Sequence, residues 1–231
     1  MSIIHLIGGE KGGVGKSVVA RLLAQYLIDH EIPFVGFDTD KSHGALLRFY
    51  TGYASPTVID QYESLDSIIE AATAQAEQRV LVDLAAQTHY PLSKWIAESG
   101  VLELLKELDI TLTYWNVMDS GKDSVDLLDK LLDQYGDKLN YVLVQNQVRD
   151  EDFNLLELSG VKDKALALKA KVMTLKRLHA PVMTKIDNNN YSFWAAKNKD
   201  PEILNPLGLL ERQRVKIWLS NAYAEIEGIG V

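Results

Sequence analysis

Apolar residues along this chain follow two rhythms. Unbroken apolar runs recur at residues 2–8 (SIIHLIG), 33–40 (PFVGFDTD), 79–86 (RVLVDLAA), 109–117 (DITLTYWNV), 139–146 (LNYVLVQN) and 170–175 (AKVMTL), with a shorter run, TVID, at 57–60. Runs without in–out alternation read as strands covered on both faces, the pattern of a parallel sheet between helical layers. Between them, apolar residues return every three or four positions. Residues 16–30 place Val18, Val19, Leu22, Leu23, Tyr26 and Leu27 on one helical face. Residues 64–78 read as a helix capped by Ser64, 91–107 as one or two helices broken near Gly100, and 124–136 as a helix ending at Gly136. A long terminal helix is expected at about 206–227.

Strands alternating with helices predict the α/β class: a mostly parallel, twisted sheet of about seven strands with helices on both faces. The chain has 231 residues, enough for one sizeable core, and residues 1–231 read as a single domain. There is no internal repeat and no low-complexity tract. The polar stretch 187–192 (DNNNYS) reads as a loop and is too short to separate domains.

Composition narrows the chemistry. The chain has no cysteine, which excludes disulfides, thiolate metal sites and iron–sulfur ligation and fits a reducing cytoplasm. No apolar run approaches the roughly 20 residues of a membrane span. The start, MSIIHLIGG, has no basic segment, so no signal peptide is expected. The five histidines (His5, His30, His43, His89, His179) show no metal-ligand spacing. The net charge of −8 is uneven: residues 1–159 carry −13, while residues 160–216 carry +7. A basic segment on an acidic chain marks either solvated helix faces or a surface for phosphate-rich partners.

The strongest chemical signal is GGEKGGVGKSVVA at residues 8–20, between a strand and a helix. There, backbone N–H groups and a helix N-terminus converge on one point and can hold a polyphosphate. Gly12, Gly13 and Gly15 let the chain wrap phosphates without side-chain clashes. Lys16 supplies charge to the β- and γ-phosphates, and Ser17 offers a hydroxyl to Mg²⁺. The strict pattern G-x-x-x-x-G-K-[ST] fails only at its first position, where Glu10 stands. A second lysine, Lys11, has no role in that pattern. The strand 79–86 contains Asp83 at the end of its apolar stretch, as expected of a carboxylate that reaches Mg²⁺ beside a phosphate loop.

The run KGGVGKS with Lys11 resembles the deviant Walker A loop of the ParA/MinD family of ATPases, and the resemblance extends along nearly the whole chain. It implies a P-loop ATPase fold, ATP and Mg²⁺ as cofactors, and slow hydrolysis coupled to dimerisation. The phosphate loop would comprise Gly12, Gly13, Val14, Gly15, Lys16, Ser17 and Val18. Lys11 would cross a homodimer interface to the partner's ATP. Asp40 would orient the attacking water, and Asp38 would lie near the metal. Asn146 would bond the adenine edge, with TLKRLHAP (174–181) packing on the base; the GTPase pattern N-K-x-D is absent, which favours ATP. Lys41-Ser42 stand where ParA members usually carry Pro-Gln, and Ala85-Ala86 where two prolines are common. The resemblance further implies a stimulating partner protein and non-specific DNA binding through the basic region 160–216. Within the family the pattern looks closest to plasmid mobilisation and conjugation members of the TraL/MobD type. The competing expectation is a metabolic enzyme of the same fold, like dethiobiotin synthetase or the cobyrinate amidotransferases.

Overall fold

The apolar runs pair side by side into one sheet. A computed structural model describes residues 1–40, 44–149, 151–199 and 206–231. The strands are β1 (Ile3–Gly8), β2 (Phe34–Asp38), β3 (Ala54–Pro56), β4 (Arg79–Asp83), β5 (Thr111–Met118), β6 (Asn140–Asn146) and β7 (Lys171–Leu175). All described pairings are parallel, in the order β3-β2-β4-β1-β5-β6-β7. This confirms the seven-stranded α/β expectation.

The helices are α1 (Lys16–Asp29), α2 (Ala45–Phe49), α3 (Tyr62–Thr73), α4 (His89–Glu98), α5 (Val101–Glu107), α6 (Lys122–Tyr135), α7 (Asn154–Leu158), α8 (Val161–Ala167), α9 (Ala180–Asn188), α10 (Phe193–Lys197) and α11 (Leu209–Ile229). Because side chains alternate along a strand, β1 serves two cores. Ile7 packs with α1, α2, α9, α10 and α11. Ile4 and Leu6 pack with α3 to α8 on the other face. Gly100 separates α4 from α5 with φ 61°, and Gly136 ends α6 with φ 53°, both as their positions predict.

Three local expectations need correction. TVID forms no strand; the edge strand is β3, whose Ala54, Ser55 and Pro56 pair with Gly36, Phe37 and Asp38. An edge strand needs only one paired flank and tolerates proline, so it carries little apolar signal. Ser64 does not cap α3. Its hydroxyl accepts the Val58 N–H at 2.8 Å, and the helix starts earlier, behind Gln61. The terminal helix starts at Leu209, with Glu211 accepting the Gly208 N–H at 2.8 Å, and runs to Ile229.

Strand order positions the site. From β1 the chain moves to β2 on one side; after β4 it crosses β1 to β5 on the other. Ligands in open parallel sheets bind at the carboxyl ends of strands beside such a reversal. Among the described residues no helix is long and apolar enough to cross a membrane.

Candidate nucleotide site

The loop after β1 is built on glycine. Gly9, Gly13 and Gly15 have φ of 139°, 75° and 95°, a region that L side chains rarely adopt. A Cβ on Gly15 would also fall 2.2 Å from Asn146 Nδ2. Gly15 precedes α1, so no capping side chain competes for the first-turn N–H groups. The partial positive end of α1 therefore faces the crevice, ready for an anion.

The two lysines of the loop part company. Lys16 is buried, and its Nζ turns back into the loop to donate to the Lys11 carbonyl at 3.0 Å. Burial lowers its pKa, while the carboxylates of Asp83 and Glu10 hold it up. Lys11 Nζ leaves the loop and meets the buried carboxylate of Asp119 at 3.0 Å. Asp119 also accepts from Ser124 Oγ at 2.6 Å and the Gly121 N–H at 3.2 Å, and Arg149 lies 3.5 Å away.

Two neighbouring strand ends carry the acids. Asp38 of β2 stands in register with Asp83 of β4. Both oxygens of Asp83 are buried without a hydrogen-bond partner. Burial, then the nearby charge of Asp38, push its pKa up to about 7; the Ser17 hydroxyl and the Lys16 ammonium only partly offset this. A buried carboxylate with both oxygens unspent, beside a hydroxyl and a phosphate loop, fits a divalent cation. Asp38 is committed elsewhere. It accepts the N–H groups of Asp40 at 3.0 Å, Leu46 at 2.9 Å and Leu47 at 3.3 Å, so it caps α2. Burial nonetheless raises its pKa. Asp40 lies two residues beyond β2, half-buried, next to residues 41–43, which lie outside the described residues together with the Lys41-Ser42 departure.

Thr39 and Glu10 tie these loops together. The Thr39 N–H and Oγ1 both donate to the Asp83 carbonyl, at 3.0 and 3.1 Å, and Oγ1 accepts the Ala85 N–H at 2.8 Å. Glu10 Oε1 accepts the His89 N–H at 2.8 Å, at the first residue of α4. Neither role is visible in local sequence, because each is made across 40 or more residues of chain.

Asn146 ends β6 with its Nδ2 donating to the Val14 carbonyl at 2.7 Å. It borders a cavity of about 200 Å³, together with Gly15, Val18, Leu175, Met183 and Trp218. Lys176, Arg177 and Leu178, from the segment expected to pack on a base, line the same cavity.

No family model matches the chain. It is similar to Protein TraL of Escherichia coli, at 30% identity over 135 residues, 54% of each chain. A second Escherichia coli TraL aligns over all of both chains at 24% identity. Protein MobD of Acidithiobacillus ferrooxidans is 27% identical over 134 residues, 56% of this chain and 57% of that one. In the first and third of these matches the chain spans about half the length of its relative. Among solved structures, the MinD cell division protein of Aquifex aeolicus superposes with a TM-score of 0.56 at 13% identity, covering 95% of this chain and 97% of that one. The chain shares the fold of this MinD protein.

In that fold, the sequence-expected residues gather as follows. Gly12, Gly13, Val14, Gly15, Lys16, Ser17 and Val18 form the loop and first turn; Asp38, Asp40 and Asp83 stand at neighbouring strand ends; Asn146 stands across the loop. Lys11 is turned away on Asp119. Asp119 was legible in principle, since it ends an apolar strand just as Asp83 does. The basic region 160–216 is not one surface. Lys162 and Lys164 of α8 pair with Glu157, Asp129 and Asp133 on one face of the sheet. Lys185 and Lys197 pair with Glu211 and Asp29 on the other.

Proposed function

We propose that the chain is an ATP-binding, slowly hydrolysing dimerisation switch that positions DNA or a protein cargo, in plasmid mobilisation or conjugation as the similarity to TraL and MobD suggests. The observation that carries this reading is the divergence of the two lysines. Lys16 serves the chain's own loop, while Lys11 points out of it onto Asp119. A lysine that its own loop does not use can serve a second molecule once it leaves Asp119.

Ser17 and Asp83 would hold Mg²⁺, which would supply positive charge to offset that of the phosphates. Lys16 and the N-terminus of α1 bind the phosphate chain. Asp40 positions water against the γ-phosphate, and Thr39 fixes Asp40's strand end to β4. Asp38 contributes by shaping the α2 turn, since its oxygens are engaged with backbone N–H groups. A partner protein stimulates the slow hydrolysis, and exposed cations such as Lys176, Arg177, Arg214 and Lys216 offer phosphate contacts to DNA.

Light scattering after gel filtration tests the switch, with and without ATP–Mg²⁺. Asp40→Ala is expected to trap an ATP-dependent dimer, and Lys11→Ala to remain monomeric. Mass that ignores ATP in wild type and both variants overturns the dimer switch and moves the reading to a small-molecule enzyme of the same fold.

A further inference from the structure

The β7–α9 loop, residues 176–179, contributes Lys176, Arg177 and Leu178 to one wall of the cavity beside Asn146. What holds that wall is a residue from the far end of the chain. Trp218, on α11, donates its indole N–H to the Lys176 carbonyl at 2.6 Å. The same indole lines the cavity. Its other side packs on Phe193 of α10, with ring centroids 5.0 Å apart. Leu178 is buried against the same core, and the Gln147 N–H donates to the Leu175 carbonyl at 2.9 Å, so β7 enters the loop already fixed. Lys176 and Arg177 are exposed, leaving the loop's backbone to be held from the α11 side by Trp218.

We propose that Trp218 is a positioning residue for the nucleotide base: it fixes the 176–179 loop through the Lys176 carbonyl and presents an aromatic wall to the purine. This rests on the nucleotide reading above. Trp218 is buried and belongs to the core on this face of the sheet. The lining of the cavity and the bond to the loop give it the second role.

The test compares ATP, GTP and inorganic tripolyphosphate by calorimetry on the full chain, with Trp218→Phe beside wild type. Phenylalanine keeps an aromatic ring on Phe193 and removes the donor. Thermal melting checks that the variant is folded. Loss of one neutral hydrogen bond corresponds to about fivefold. The expected result is ATP affinity reduced about fivefold, narrower discrimination of ATP from GTP, and unchanged tripolyphosphate affinity. An equal loss for ATP and tripolyphosphate, or no loss for either, overturns the proposal. Wild type that binds none of the three overturns the nucleotide reading itself, a result distinct from both. Trp194→Phe, at a half-exposed tryptophan outside the cavity, is expected to leave all three affinities unchanged.

Discussion

Lys11 Nζ lies 3.0 Å from the buried carboxylate of Asp119, a residue 108 positions away in the chain. The pair sets a competition. While Asp119 holds the lysine, it is unavailable to another molecule; to leave, it must break a charge-assisted hydrogen bond of about 1.5–3 kcal/mol. Asp119→Asn keeps acceptors for Ser124 and Gly121 and drops the charge. The expected outcome is ATP-dependent dimerisation at about tenfold lower ATP, followed by light-scattering mass as ATP is titrated. A requirement for more ATP would show that Asp119 belongs to the dimer contact instead.

Asn146 makes a different kind of prediction. Its amide N–H is spent on the Val14 carbonyl, so the side chain braces the phosphate loop as well as facing the cavity. Asn146→Ala removes that brace and leaves a buried carbonyl unpaired, a loss of about 1–3 kcal/mol. ATP and tripolyphosphate affinities are both expected to fall, by about tenfold. Calorimetry with the two ligands separates this from a role on the base alone, which would spare tripolyphosphate.

The features legible in sequence were those that depend on near neighbours. Buried parallel strands announce themselves as apolar runs, and the loop at 8–17 by its glycines, so β1, β4, Lys16, Ser17 and Asp83 were all in view. α7 and α8 went unread because each is short and buries few side chains, Leu156 in one and Val161 and Ala165 in the other. At the site, Thr39, Glu10, Asp119 and Trp218 act through partners far away in sequence. Their residue types fit bland roles equally well: a turn, a loop acid, a strand end, a core indole. Only folding assigns the partner.

His5 gives a pH dependence with a definite sign. It sits in β1, fully enclosed, with Nδ1 accepting the Trp115 indole N–H at 3.1 Å and Nε2 unpaired. Burial, helped by the Arg79 charge, lowers its pKa to about 3. The unfolded chain therefore binds a proton that the folded chain refuses, between the unfolded value of about 6.5 and about 3. Stability from this group is complete above about pH 6.5 and is lost as pH falls, at about 1.4 kcal/mol per pH unit. His5→Gln can still accept from Trp115 and does not titrate. Urea unfolding from pH 6.5 to 4.5 is expected to show a shallower decline for the variant; parallel curves would mean His5 is protonated in the fold.

Glu10 occupies the position where the strict phosphate-loop pattern has glycine, and it does so with a purpose in this fold. Its carboxylate accepts the His89 N–H at the start of α4, where the preceding Thr88 supplies no side-chain cap. A carboxylate at a helix N-terminus satisfies an orphan donor and complements the helix dipole, together about 1 kcal/mol. Glu10→Gly restores the strict pattern and removes that cap. The first turn of α4 should then open more often, raising amide hydrogen exchange at His89, Tyr90 and Leu92 about fivefold, while α6 is unchanged. Exchange that stays as slow as in wild type would show that packing of Leu92 and Trp95 alone holds the helix start.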